Sequence, residues 1–437
     1  MACIYCYEES AVVQYMEKAV RFMQKEKGQE AFGMLQVSVE TETGFRPVEG
    51  ARVRISYTGD PESVVEEVQT DREGRIPELA LPTPPLAYSL NPGSSQPYSE
   101  YTISVNADGF EEVTVSGAEL LADETAIQRI RLRPLSGTEE FENIVIPAHT
   151  LYGDYPPKIA ENEVKPTPVS GEIVLSRVVI PEYVVVHDGS PRDSSASDYY
   201  VRYKDYIKNV ASSEIYATWP RAAIEANVLT IQSFTLNRVY SEWYRNKGYD
   251  FTITSSTAFD QKWIFGRNIY ESISDVVDEL FENYLSRPNV RQPILTQYCD
   301  GQRVSCPNWM SQWGSKYLAD QGYTAEEIIW YYYGDNMYVN TAEQIAGIPA
   351  SWPGYDLEEG SYGEKVLQLQ EQLNAISNNY PLIPKVQEDG IYGAGTAEAV
   401  RVFQRVFGLP VTGTVDYRTW YKVQEIYVGV TRISELV

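Results

Sequence analysis

The sequence predicts a multidomain α+β chain: an antiparallel β-sandwich first, a mixed α/β domain in the middle and a small three-helix module last. Three observations carry this. From residue 33 to residue 135 apolar and polar residues alternate in short runs separated by turn signals, the period-2 pattern of half-buried strands. Near residue 220 the period changes to three and four, the mark of a helix face. Two stretches without periodicity, 136–172 and 347–363, divide the 437 residues, a length that suffices for several packed domains.

Within residues 1–32, the run 10–27 reads as a short helix with Val13, Met16, Val20 and Met23 on one side, either a detachable leader or a packing helix. The N-terminus has no basic start, apolar core or small-residue cleavage site, so no secretory signal is expected and synthesis in the cytosol is. No run of 18 apolar residues occurs, so no membrane span is expected. In the sandwich, "GMLQVSVETE", "ARVRISYTG", "SVVEEVQTD" and "YTISVNADGFEEVTVSG" are strands, with turns at Thr58–Pro61, Asp71–Gly74 and Ala107–Gly109. Residues 136–172, rich in proline and acids, read as an exposed linker open to proteolysis.

In the central domain, 173–346, a long amphipathic helix starts at Pro220, with Ile224, Val228, Ile231, Thr235 and Val239 on its apolar face. Glu214 stands in the segment leading into it, beside Ala211, Ile215, Tyr216 and Trp219. Burial there raises a carboxyl pKa and the helix's positive end lowers it, which leaves the sign open. In the last domain, 347–437, Val366, Leu369 and Leu373 share a helix face, an Asp389-Gly390 turn follows, and two further helices run through Phe403 and Trp420.

A net charge of −25 and the lack of any basic stripe exclude nucleic acid as a partner. His149 and His187 are the sole histidines, which disfavours zinc amidases and Ser-His-Asp or Cys-His hydrolases and favours carboxylate chemistry. Thirty-four tyrosines and eight tryptophans suit stacking on sugars, although most aromatic residues in a globular chain are core. Cys299 and Cys306 frame Asp300-Gly301 and can either close a loop as a disulfide or supply two zinc ligands completed by a histidine or a carboxylate. Zinc therefore stays open as a cofactor, with none required. Cys3-x-x-Cys6 lacks a second ligand pair.

Several stretches resemble known families. "VQTDREGRIPELAL" followed by "YTISVNADGFEEVTV" is similar to the transthyretin-like, carboxypeptidase-regulatory-like sandwich, which implies a structural module. The pattern D-G-x-Y-G-x-x-T from Asp389, then A-V-x-x-F-Q from Ala399, then G-L-x-x-x-G and Thr419-Trp420 resembles the three-helix peptidoglycan-binding domain across residues 356–424. The resemblance implies a glycan strand or its stem peptide as partner. Asp389, Gly390 and Gly393 then shape turns, and Phe403 and Trp420 are core.

Val210 to Ala226, with "SSEIYATWP", and Met310 to Tyr333, with "MSQWG" and "QGYTAEEIIWYYY", resemble the stage II sporulation protein D family of lytic transglycosylases. That resemblance puts the catalytic acid on Glu214. Substrate contacts are expected from Ser213, Tyr216, Gln312 and Trp313, with Gln261 on a polar loop lining the cleft. Two departures stand out: Ile231-Gln232-Ser233-Phe234 replaces the family's Ala-Arg-Thr-Tyr, and Cys306 to Trp309 replaces its Gly-His-Gly. The arrangement over residues 33–437 is similar to the clostridial spore cortex-lytic enzymes of the SleC type. This implies a zymogen, with the sandwich as pro-domain and a processing site in 136–172 for a subtilisin-like protease acting at germination. It also implies residence in the spore cortex or coat region after synthesis in the mother cell. The implied reaction cleaves the MurNAc-GlcNAc bond to 1,6-anhydromuramic ends. Two other readings remain, a wall-binding protein that enhances an amidase and a muramoyl-alanine amidase.

Overall fold

The computed structural model describes residues 31–431 apart from 43–44, 94, 136–140, 154–155, 166–177, 182, 242, 245–246, 250, 291, 343 and 346–354. The helix expected over 10–27 lies outside the described residues.

Alternation in the first third becomes two facing sheets. Strands β1 (Ala31–Thr41), β2 (Arg52–Tyr57), β3 (Asp60–Gln69) and β4 (Leu79–Thr83) precede a one-turn helix α1 (Ala87–Leu90), and β5 (Tyr98–Asn106), β6 (Glu112–Leu121), β7 (Thr125–Leu132) and β8 (Phe141–Val145) follow. One sheet has the order β3-β2-β5-β6-β8 and the other contains β7-β1-β4. Leu35, Val37 and Val39 of β1 and Tyr101, Ile103 and Val105 of β5 are buried at every second position, so each strand turns one face to the core. The turn at Asp71 forms because its carboxylate accepts from Glu73 N and Arg75 N at 3.0 and 2.9 Å. Gly74 there has φ +72°, and a Cβ would meet Val39 O at 2.4 Å.

The stretch expected as a linker is largely built into the fold. Its first part, β8, pairs in parallel with β6. Beyond it Ile146, His149, Thr150, Leu151, Lys158 and Lys165 are all buried. Hydrogen bonds to distant segments, which a period count cannot see, hold them there.

The central region contains β9 (Val179–Ile180), β10 (Tyr183–His187), β11 (Asp198–Arg202), α2 (Tyr203–Glu214), α3 (Arg221–Tyr240), β12 (Ile253–Thr254), β13 (Ile269–Tyr270) and α4 (Glu271–Leu280). It continues with β14 (Asn283–Ser286), β15 (Tyr298–Cys299), β16 (Met310–Ser311), α5 (Gln312–Asp320), α6 (Ala325–Tyr333), β17 (Tyr338–Thr341) and β18 (Gln344–Ile345). Small sheets β11-β10-β12, β14-β17, β15-β16 and β18-β9 surround the helices. Helix α3 starts at Arg221, one residue after the predicted Pro220, and is a central helix rather than an amphipathic one: every residue from Ala226 to Arg238 is buried. Several of its polar donors are satisfied internally, Asn227 Nδ2 by Ala223 O and Ser315 Oγ, Thr230 Oγ1 by Ala226 O, and Gln232 Nε2 by Leu280 O and Asn283 O. β13 adds antiparallel to β7, so the central region supplies an edge strand to the sandwich.

The C-terminal region has α7 (Glu364–Ser377), α8 (Ala394–Val406) and α9 (Tyr417–Thr431). Two glutamines clamp its two glycine turns in the same manner. Gln370 accepts from Asp389 N and Gly390 N and donates to Ile391 O, and Gln404 accepts from Thr412 N and Gly413 N and donates to Thr414 O. Gly390 and Gly413 have φ of +69° and +78°. Phe403 and Trp420 are fully buried between the helices. This region touches the sandwich through Tyr380 with Phe45 O and Arg75 with Val406 O, and the central region through Arg418 with Glu279.

Candidate active site

Glu214 is the last residue of α2, not part of a loop. Ile215 turns extended at φ −134° and ψ 159°, and its N–H closes the helix on Ala211 O at 3.0 Å. The carboxyl therefore sits at the negative end of the helix before it, rather than near the positive end of α3. That placement adds to burial in disfavouring the anion.

The side chain is 0% exposed. Oε1 accepts from Lys262 N at 2.6 Å and Oε2 accepts from Gln312 Nε2 at 3.1 Å. Burial pushes the Glu214 carboxyl above the usual carboxylate range, while the Lys158 ammonium, the Lys262 N–H, Tyr298 and Gln312 pull against it. Gln312 opens α5, whose N-cap Ser311 accepts from Gly314 N at 2.9 Å. Two segments 98 residues apart in sequence thus meet at one carboxyl group.

Of the residues expected to contact substrate, Gln312 touches Glu214. Ser213 donates from Oγ to Asn209 O at 2.8 Å, and its carbonyl accepts from Thr150. Tyr216 is buried against the His149 ring, with centroids 4.5 Å apart. Trp313 packs in an aromatic cluster, 4.9 Å from Trp219 and 6.0 Å from Tyr216. Gln261 does not line an open cleft: its amide accepts from Tyr206 Oη at 3.1 Å and Thr235 Oγ1 at 2.8 Å and donates to Ile231 O at 3.1 Å, tying α2 to α3. Both ends of the amide are satisfied by helices, which makes Gln261 an interior strut. Gln232 Nε2 donates to Leu280 O and Asn283 O rather than to the acid.

The sequence reading missed Lys158, Lys262 and Tyr298. Lys158 comes from the stretch read as a linker, where the alternation of Glu161, Glu163 and Lys165 was the available sign of an ordered extended segment. Glu161 and Glu163 form ion pairs with Arg238 and Arg287 at 2.6 and 2.8 Å, and Lys165 pairs with Glu161 at 2.6 Å.

Cys299 and Cys306 form a disulfide with Cα atoms 5.6 Å apart, which resolves the two possibilities their spacing left open. Among the described residues no three His, Cys, Asp or Glu side chains are grouped to hold a metal ion. The bridged loop is organised by Asp300, whose carboxylate accepts from Gln302 N, Arg303 N and Val304 N. Gly301 cannot be replaced without movement, since a Cβ would lie 1.8 Å from Ser311 Oγ. Cys299→Ser is expected to lower stability by about 2–3 kcal/mol, the loop-closure entropy of so short a ring, measured by urea unfolding of the full chain. His149 is held neutral by burial, and His187 bonds Asp198 at 2.7 Å on the β10–β11 ladder.

Residues 362–423 match the model of the peptidoglycan binding domain family, PG_binding_1. No curated protein matches the chain. Among solved structures, the SleB N-terminal domain is 31% identical over 18% of this chain and 99% of its own, with a TM-score of 0.16. The Bacillus anthracis TIE protein is 17% identical over 24% of this chain and 17% of its own, with a TM-score of 0.18. The 3-chlorocatechol 1,2-dioxygenase of Rhodococcus opacus is 11% identical over 25% of this chain and 63% of its own, with a TM-score of 0.18. The glutamine-clamped turns and the buried Phe403 and Trp420 thus belong to a peptidoglycan-binding domain, carried C-terminal to the α+β region that holds Glu214.

Proposed function

We propose that the chain is a spore-cortex lytic transglycosylase, made as a zymogen, in which Glu214 serves as both acid and base. The observation that carries this reading is a single carboxyl, fully buried and pushed toward its protonated form, held by one backbone N–H and one amide in a chain that also binds peptidoglycan. Asp260, the buried carboxylate nearby, is already taken by Arg238, Tyr244 and Thr254.

One carboxyl suffices if no water is added. Protonated Glu214 gives its proton to the glycosidic oxygen as the bond from muramic C1 breaks and the GlcNAc hydroxyl leaves. The carboxylate so formed takes the proton of the muramic 6-hydroxyl as its oxygen bonds C1, closing the 1,6-anhydro ring. Glu214 ends protonated, ready for another turn.

Zymogen control is supported by the burial of the acid and by the sandwich's contacts with the segments on either side of its neighbours. At 0% exposure Glu214 cannot touch a polymer in the full chain. The sandwich lies on the segment that follows it: Thr218 Oγ1 and Trp219 Nε1 donate to Ser89 Oγ and O at 2.8 and 3.0 Å, and Arg267 pairs with the buried Glu119 at 2.7 Å. Cutting by a subtilisin-like protease between residues 136 and 155 is expected to raise activity at least about tenfold, roughly 1.4 kcal/mol of barrier. Equal activity before and after the cut would defeat the zymogen reading. The disulfide suits the oxidising surroundings of the cortex region better than the mother-cell cytosol.

Mass spectrometry of spore cortex treated with the protease-cut chain tests the chemistry. Anhydromuramic ends support the reading, whereas new reducing ends mean hydrolysis, free stem peptides mean an amidase, and binding without products means a wall-binding protein.

A further inference from the structure

We propose that Lys158 is a positioning residue of the Glu214 site, and that the segment 156–165 carrying it is a permanent wall of the central domain rather than part of the removable N-terminal region. This rests on Glu214 being the catalytic acid.

The first observation is how the ammonium is housed. Lys158 is buried, and among the described residues its Nζ makes a single hydrogen bond, to Asp260 O at 2.5 Å. Its other neighbours are ring faces, Tyr298 at 4.2 Å and Phe234 at 5.1 Å from the centroids. Among the described residues no carboxylate lies within ion-pair distance of Nζ. Buried ammonium groups are ordinarily paired, and this one has three donors with one used. Asp260, whose carbonyl takes this bond, is two residues from Lys262, whose N–H holds Glu214 Oε1 at 2.6 Å, so one short segment holds both the ammonium and the carboxyl, and each charge acts on the other.

The second observation is how firmly the segment is held. Ile159 N donates to Ala258 O at 2.8 Å, Gln297 bonds Glu161 N and Ile159 O, and Gln292 bonds Lys165 N and O. Leu295 N donates to Glu163 O at 2.9 Å. Glu161 meets the fully buried Arg238 through both oxygens, at 2.6 and 3.1 Å. Taking this segment away would leave a buried guanidinium short of a partner and two buried amides empty, so a cut that frees the site falls before it. The catalytic body therefore starts near residue 156, upstream of the expected boundary at 173.

In this arrangement the ammonium favours the carboxylate that remains after Glu214 has given up its proton, and so sets the pH at which the acid form is lost. The other groups acting on the carboxyl or its partners are Lys262, Tyr206 and Tyr298, and Asp260, Arg238 and Glu161 act on the ammonium as well.

The test compares Lys158→Met and Lys158→Arg in the full chain after proteolytic activation. Activity needs Glu214 protonated, so the alkaline limb of the pH profile reports its ionisation. Loss of the cation is expected to move that limb upward by about one pH unit or more in Lys158→Met, with Lys158→Arg close to the parent. A limb that stays in place in a folded Lys158→Met overturns the proposal, and reduced activity with an unmoved limb means a purely structural lysine. The uncut chain gives a second readout that needs no activity. The difference in melting temperature between the parent and Glu214→Gln falls as pH rises through the folded pKa of Glu214, and in the Lys158→Met background that fall should extend to higher pH. If Lys158→Met does not fold, Lys158→Gln replaces it in both measurements. Full activity in Glu214→Gln would instead sink the underlying assignment, a result distinct from an unmoved limb.

Discussion

Glu214→Gln is expected to lower the release of 1,6-anhydro ends by at least about 10²-fold, the scale of a lost general acid, without unfolding the protein. The amide keeps the shape of the side chain and can still accept from Lys262 N, but it has no proton to give. The carboxyl's environment already disfavours its charge, since burial raises its pKa against the pull of Lys158, the Lys262 N–H, Tyr298 and Gln312. A carboxyl raised in the folded state stabilises below its unfolded pKa and loses that contribution as pH rises through the folded one. At neutral pH a neutral amide should therefore leave stability equal or slightly higher. Quantifying anhydro ends from cortex alongside thermal unfolding separates the two effects: unchanged product release would remove Glu214 from the mechanism, and collapse of the fold would make it a structural residue.

Arg238→Met is expected to be the most destabilising substitution in the central domain, by about 3–5 kcal/mol. The guanidinium is 0% exposed on the side-chain scale and joins Asp260, also 0% exposed, at 2.7 Å to Glu161 at 2.6 Å. Removing it leaves Asp260 buried without its cation and frees Glu161, so the wall that carries Lys158 loosens with it. The pH dependence follows from the same contacts. Burial alone would raise the Glu161 carboxyl, but Arg238 and Lys165 outweigh it and hold it below its ordinary value. Its stabilisation is present above the unfolded pKa and fades as pH falls through the folded one, so the variant should show a shallower loss of stability on acidification. Urea midpoints measured from neutral to acidic pH check both, and an undiminished midpoint at neutral pH would contradict the ion network.

The local patterns were legible wherever burial repeats with a regular period or a turn demands a particular residue. Leu35, Val37 and Val39 alternate because a strand shows one face to the core, and Asp389-Gly390 announces a turn because the backbone there needs a positive φ. The segment resemblances also marked Glu214 and Gln312 as members of one site, although nothing in their spacing puts one against the other. Helix α3 was recognised but its character was not: Gln232, Thr235 and Arg238 look like a polar face until the distant groups they bond are seen, Leu280 O for Gln232, the Gln261 amide oxygen for Thr235 and the Asp260 carboxylate for Arg238.

By itself the sequence determined the alternating strands of the sandwich, the long central helix, the peptidoglycan-binding module, and the pair of cysteines able to bridge. Only the tertiary structure decided that Glu214 ends a helix, that Gln261 is a strut, and that a lysine from an apparent linker is buried against Asp260 O, two residues from the N–H that holds the acid. The physical reason is range. Periodicity and turn chemistry are set by neighbours a few residues away, whereas the charge state of a buried carboxyl is set by whatever groups the fold gathers around it, here from residues 158, 262, 298 and 312.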